Sequence, residues 1–228
     1  DPRYSEVPVA AMLAKDFARA RAKRIDPARA QSGVSAAELP VHAGDTTYLS
    51  AIDRDGNMVS LIQSNYASFG SGVVAGGTGF ALQNRGALFT LDRTHPNVLA
   101  PRKRPLHTII PAFMRQGQTQ VAFGIMGGWN QSQAHAQFVS NVVDHGMNIQ
   151  AALEAPRVTK LTFDGCDVVV EGRIPESVWR GLEARGHEVG VEGDFCSLMG
   201  GGQAVMRAGD VNYGASDPRK DGAAVPEP

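Results

Sequence analysis

The chain has 228 residues, 43% of them hydrophobic and 20% charged, with a net charge of -1. That length bounds it to one or two domains of ordinary globular composition. The near-zero charge gives no electrostatic reason to expect nucleic acid or an anionic membrane as partner, and no apolar run approaches the roughly 20 residues that span a bilayer.

The opening stretch, "DPRYSEVPVAAMLAKDFARARAKRID", has no initiator Met and no secretory signal, and reads as the middle of something longer. Within it, Val9, Met12, Leu13 and Phe17 recur at helical spacing, which predicts one amphipathic helix from about Pro8 to Ile25. A polar stretch from Asp26 to Gly44 reads as a loop. Two strands are then predicted, Tyr48–Ile52 and Met58–Ser64, joined by Asp53-Arg54-Asp55-Gly56-Asn57, whose Asp-Gly step signals a hairpin. The glycine-rich run from Phe69 to Gly86 reads as turns between short strands. Val121–Asn130 is an apolar strand ending in Gly-Gly and leading into a helical run from Gln131 to Gly146. Such a junction can aim backbone N–H groups at one point, a ready anion site. Beyond it come a strand at Val168–Glu171, a helix at Pro175–Arg185 stopped by Gly186, and strands at "HEVGVE" and "GGQAVMRAG". Strands in runs with few helices between them predict an α+β layered fold, largely antiparallel.

Several enzyme signals are missing. "GVVAGGTG" lacks a P-loop lysine, there is no G-x-S-x-G elbow, and the six histidines, His42, His95, His107, His135, His145 and His187, form no metal-binding pattern. The cysteines Cys166 and Cys196 match no metal spacing and leave the redox compartment undecided. No metal or organic cofactor is implied. One segment, "HAGDTTYLSAID" (His42–Asp53), supports two readings. In the first, a loop simply enters a strand there, since threonine is a good strand former. Alternatively the chain is cut between Asp45 and Thr46. The freed α-amine, titrating near roughly 7.7–8, would then serve as base for the Thr46 hydroxyl.

The run "TTYLSAIDRDGNMVSLIQS" resembles the start of the small subunit of the γ-glutamyltransferases, members of the N-terminal nucleophile hydrolase superfamily. "FGSGVVAGGTGFALQNRG", "APRKRPLHTIIPAF", "GIMGGWNQSQAHAQFVSNVVDHGMNIQAALEAPR" and "YGASDPRKDGAA" resemble further blocks in family order, over nearly the whole chain. The resemblance implies the C-terminal half of an αββα sandwich. Residues 1–45 would end a large subunit and residues 46–228 would form the small catalytic one. It implies Thr46 as nucleophile, freed by autocleavage after Asp45, and Ser64 in place of a second threonine that bonds the Thr46 amine. Gly127 and Gly128 become the oxyanion pair. Tyr66, Asn84, Arg85, His107 and Thr108 fall at substrate-binding positions.

The sequence also departs from the pattern. Tyr66, Arg85 and Leu88 stand where well-studied transpeptidases clamp an α-ammonium with Asn, Gln and Asp. His107-Thr108 replaces a Ser-Ser pair that binds the α-carboxylate. Leu88 cannot pair an ammonium, and Arg85 would repel one but could hold a carboxylate in bidentate fashion. The lid segment is short, with only "TLDRTHPNVLAPRK" between blocks. The implied partners are a γ-glutamyl compound or related amide, water or an amine acceptor, and the rest of the large subunit. A homodimer of heterodimers is one assembly this allows. The other readings are an acylase of a different amide, a processed homologue that only binds, and an uncut acyl-binding domain.

Overall fold

A computed structural model describes residues 1–32, 45–162 and 164–226, without the side chain of Asp45. His42 and residues 33–44 of the expected loop lie outside the described residues.

The N-terminal helix is two short ones, α1 (Val9–Leu13) and α2 (Lys15–Ala22), broken where Ala14 turns extended at ψ 133°. Neither buries a residue, so the apolar positions that predicted one amphipathic helix have no core to face. Helices this short gain little from propensity alone, and packing is what normally sustains them. The segment is tied down elsewhere. Tyr4 donates to the Pro101 carbonyl at 2.6 Å, Arg104 N–H donates to the Asp1 carboxylate at 3.0 Å, and Ala30 N–H donates to Arg185 O at 2.7 Å.

Strands β1 (Asp45–Ile52) and β2 (Met58–Tyr66) form the expected hairpin. Its turn is built by Asp53, whose carboxylate accepts from both the backbone and side-chain nitrogens of Asn57, while Gly56 supplies the φ of +87°. A second sheet follows the order β3 (Ala112–Gln116), β4 (Thr119–Met126), β8 (Gly201–Ala208) and β9 (Val211–Ser216), all antiparallel. A third, small sheet joins β5 (Val158–Thr159), β6 (Asp167–Glu171) and β7 (Glu188–Glu192). Its β6–β7 pair is parallel and is linked by α5 (Glu176–Glu183).

The layers follow from strand alternation. On β4, Val121, Phe123 and Ile125 point to one face and pack with Ala134 and Phe138 of α3 (Gln131–Val143). Ile149, Ala152 and Leu153 of α4 (Ile149–Glu154) join them, and together they make the main core. The opposite face receives the hairpin. Gly124 leaves room for the Tyr48 ring, since a Cβ there would lie 2.3 Å from it. The Tyr48 hydroxyl meets Ser60 Oγ at 2.7 Å, and Ser60 Oγ donates to Phe123 O at 3.3 Å. Helix, sheet and sheet thus stack in that order, which gives three layers of an αββα sandwich and confirms the α+β expectation. The outer face of the hairpin is left bare: Leu49, Val59 and Leu61 are about half exposed.

The long connection from β2 to β3 is mostly turns. A single bridge, Val74 to Ala81, crosses the glycine-rich segment, and a 3-10 turn spans Arg85–Leu88. The expected short lid is a compact loop, closed by a Thr90–Val98 bridge and by Lys103 Nζ donating to the carbonyls of Pro96 and Val98.

Candidate functional site

The hairpin meets β4 in a fixed order: Ser60 touches Phe123, and Tyr48 sits on Gly124. That order runs the start of β1 toward the end of β4 that leads into Gly127. Thr46 lies largely buried at the start of β1. Its Oγ1 donates to Ser64 Oγ at 3.1 Å, and Ser64 Oγ also accepts the Tyr66 N–H at 2.9 Å. In this unbroken chain Ser64 meets the Thr46 hydroxyl, whereas the sequence expectation paired it with an amine.

The pairing between β1 and β2 slips beside Asp45. Thr46 opposes Ser64 but Asp45 opposes Tyr66, so Asn65 is an extra residue, a β-bulge. Tyr66 absorbs the distortion at φ +79°, uncommon for a bulky residue. A groove of about 570 Å³ opens here, lined by Thr46, Thr47, Ser64, Ser68, Phe80 and Gln83 among others.

Gly127 and Gly128 have φ of +140° and +58°, a path that suits glycine. The turn is held from behind. A Cβ on Gly127 would lie 3.1 Å from Gly200 Cα, and one on Gly200 would lie 2.0 Å from Met126 O. Asn130 N–H donates to Gly127 O at 3.0 Å before α3 begins.

The other expected site residues divide into a cluster and two outliers. Tyr66, Arg85 and Thr108 come together and are buried: the Arg85 guanidinium carbon lies 4.8 Å from the Tyr66 ring centre, and Nη1 donates to Thr108 Oγ1 at 3.2 Å. Burial lowers the Arg85 pKa, with Tyr66 acting the other way. Asn84 is engaged in shaping the chain, its Oδ1 accepting the Ala67 N–H at 3.1 Å. His107 is at the surface; partial desolvation, then the Arg85 and Arg104 charges, hold its imidazole toward neutral.

Sequence reasoning gave no role to four charged residues that the structure unites. Arg157, Glu171, Asp217 and Arg219 are essentially inaccessible to solvent. Arg157 Nη2 meets Asp217 Oδ2 at 2.6 Å, and Arg219 contacts both Glu171 at 2.5 Å and Asp217 at 3.0 Å. Burial pushes the Glu171 pKa up, but hydrogen bonds from Arg219 and the Arg157 N–H outweigh this and hold it below the ordinary range. Arg157 Nη1 also donates to the carbonyls of Met199 and Gly200, and Gly202 N–H donates to Asp217. The network thereby fixes the turn that backs Gly127. The two buried arginines and two carboxylates cancel in charge, which suits a dry interior, and the partly exposed Arg173 reaches Glu171 from the rim at 3.2 Å.

His135 Nε2 accepts the Ile125 N–H at 3.1 Å, and no group of three or more potential metal ligands occurs among the described residues. Burial lowers its pKa to about 4; a weaker backbone contact with Gln131 opposes this, and Arg157 adds to it. The unfolded histidine, at about 6.5, binds a proton over the window where the folded one does not. Stability is therefore full above pH 6.5 and is lost as pH falls from 6.5 to 4, by roughly 3 kcal/mol at the most. Urea midpoints across that window should fall less in His135→Gln than in the parent; parallel curves would remove His135 as the cause. Cys166 and Cys196 are both free thiols.

The sequence model described as Gamma-glutamyltranspeptidase matches residues 1–227. The glutathione hydrolase-like YwrD proenzyme of Bacillus subtilis (strain 168) is 40% identical over 233 residues, covering 99% of this chain and 43% of its own length. The crystal structure of cephalosporin acylase from Bacillus halodurans superimposes with a TM-score of 0.83 at 41% identity, over 98% of this chain and 40% of that one. A gamma-glutamyltranspeptidase from Pseudomonas nitroreducens, complexed with L-DON, gives 0.70 at 27% identity, over 80% of this chain and 100% of that one. The chain thus spans less than half the length of the YwrD proenzyme.

Proposed function

The chain belongs to the gamma-glutamyltranspeptidase family, and from that premise we propose that it carries the catalytic half of an N-terminal threonine amidohydrolase. Thr46 is the nucleophile and the bond before it is the processing site. The observation that carries this reading is the Thr46–Ser64 hydroxyl pair, seated in a groove beside a strained bulge. Strain next to a bond to be broken favours its opening. The word "proenzyme" in the YwrD relative's own name is consistent with such processing. So is the P. nitroreducens chain, covered whole by 80% of this one, the share that residues 46–228 make up.

In maturation, Thr46 Oγ attacks the Asp45 carbonyl carbon. The C–N bond breaks, the hydroxyl proton ends on the threonine nitrogen, and an ester links Asp45 to Thr46. Water hydrolyses that ester, leaving an Asp45 carboxylate and a free Thr46 amine. In turnover the amine takes the proton from Oγ as it attacks the substrate amide. The Gly127 and Gly128 N–H groups hold the oxyanion, donors of a kind worth about 3–4 kcal/mol each. The C–N bond breaks, the proton passes to the departing amine, and an acyl ester remains on Thr46. Water, or an amine acceptor, then displaces it. Ser64 keeps the hydroxyl aligned throughout.

The test uses the full-length protein. Intact mass should show a fragment beginning at Thr46, and a p-nitroanilide donor should release a burst of p-nitroaniline stoichiometric with that fragment. An uncut protein with no fragment starting there would overturn the reading.

A further inference from the structure

The loop from Thr90 to Lys103 has little apolar packing of its own. Leu91 and Leu99 are exposed, so its shape rests on hydrogen bonds. Pro96 and Pro101 bring carbonyls but no N–H, which leaves the loop with more main-chain acceptors than donors. Arg102 adds strain, with a φ of +59° that suits glycine better. At the foot of the loop Lys103 is 9% exposed, and its Nζ donates to the Pro96 and Val98 carbonyls at 2.6 and 3.0 Å. An ammonium has a third hydrogen to place.

The segment before α1 brings what the loop is short of. Three consecutive residues each set one side-chain donor on a loop carbonyl. Arg3 Nη2 reaches Arg102 O at 2.9 Å, the Tyr4 hydroxyl reaches Pro101 O at 2.6 Å, and Ser5 Oγ reaches Pro96 O at 3.3 Å. All three acceptors are main-chain atoms, so the fit is to the path of the loop. The Tyr4 ring centre lies 5.3 Å from the Lys103 Nζ, within reach of a cation–π contact. Just past the loop, the Asp1 carboxylate accepts the Arg104 N–H at 3.0 Å. The loop is also stapled to its neighbours by one side chain. Asn97 Nδ2 donates to Leu88 O at 2.7 Å, and Asn97 Oδ1 accepts the Leu106 N–H at 3.2 Å. That joins it to the end of the Arg85–Leu88 turn and to the run that leads into Thr108.

We propose that Arg3-Tyr4-Ser5 is a strap that keeps this loop shut, with Tyr4 as its centre. The inference rests on the proposed opening at Asp45–Thr46, which puts the strap on one piece of the mature enzyme and the loop on the other. The carbonyl-rich face of the loop is then a docking surface between the two pieces. It fits a segment that offers a cation, a phenol and a hydroxyl in sequence. The piece that ends at Asp45 thereby fixes a loop of the piece that begins at Thr46.

The experiment follows amide exchange by mass spectrometry in the mature full-length enzyme. Tyr4→Ala removes the ring and one hydrogen bond together, and exchange across residues 90–103 should quicken by roughly tenfold or more. Amides of β4 should keep the parent rate, because Tyr4 lies outside the main core. Tyr4→Phe keeps the ring beside Lys103 and should fall between parent and alanine variant. Lys103→Met should loosen the loop as well. Adding Tyr4→Ala to it should then quicken exchange less than in the parent, as expected of side chains in contact. Unchanged loop exchange in Tyr4→Ala would overturn the strap. Faster exchange everywhere would do so too, since it marks a general loss of stability, and so would a double variant whose two effects simply add. If no fragment begins at Thr46, the processing reading fails instead. The same comparison on the uncut chain would still decide whether Tyr4 holds the loop.

Discussion

Replacing Thr46 by alanine in the full-length protein should leave a single uncut species on intact-mass analysis, however long it is incubated. Both acts of the site depend on the same atom. Without Oγ there is no ester across the Asp45–Thr46 bond, hence no free amine, and no acyl group can be carried afterward. Turnover on an anilide donor should fall by on the order of 10⁴-fold or more, as when a nucleophile that works with its base as a unit is removed. Thr46→Ser keeps the hydroxyl and should still cut and turn over, more slowly. Its rotamer is freer, since it lacks the methyl that restricts threonine at χ1. Appearance of a fragment beginning at residue 46 in the alanine variant would show that something other than Thr46 opens the chain.

The second large effect is on stability. Asp217 accepts hydrogen bonds from Arg157, Arg219 and the Gly202 N–H at 0% side-chain exposure. Asp217→Asn keeps the shape but leaves the buried Arg157 guanidinium without its carboxylate and Arg219 with only Glu171, which also meets Arg173 at 3.2 Å. Breaking a buried pair by removing one partner costs about 3–5 kcal/mol, to be read as a drop in urea midpoint at neutral pH. Glu176→Gln is the control. Its partner Arg180 is 3.4 Å away and both are well exposed, so the loss should stay below about 1 kcal/mol. Equal losses in the two variants would mean that the buried network contributes no more than an exposed pair. Because the same arginine holds the Met199 and Gly200 carbonyls behind Gly127, Asp217→Asn should also slow the anilide reaction at temperatures where it remains folded.

Local chemistry explains what could be read in advance. The Asp-Gly turn announced the hairpin because only a few residue pairs take its positive φ, and Gly56 does. The apolar run and the Gly-Gly in it marked the strand-to-helix junction: the helix begins at Gln131 as expected, while the strand stops at Met126, four residues before the expected Asn130. Helical spacing alone misjudged Pro8–Ile25, since an apolar stripe is informative only when something covers it. The buried tetrad was out of reach for another reason. Arg157 and Arg219 are 62 positions apart in the sequence, and each looks like an ordinary surface charge until the fold brings them together. The substitution pattern at Tyr66, Arg85 and Leu88 was visible as a departure. That Arg85 is buried and lacks an acid could be learned only from its surroundings. The Asn65 bulge was equally silent, because it arises from the register of two strands and no residue type signals it.

The hairpin's uncovered side has a practical consequence. Leu49, Val59 and Leu61 form an oily stripe on a two-stranded ribbon whose edges are also open to pairing among the described residues. Residues 46–228 produced alone should therefore clump in a concentration-dependent way. Light scattering would register this, and co-production with the remainder of the polypeptide should prevent it. Swapping Leu61 for lysine should cure the clumping of the isolated piece while spoiling its reunion with the rest. Solubility and assembly would then pull the same side chain in opposite directions.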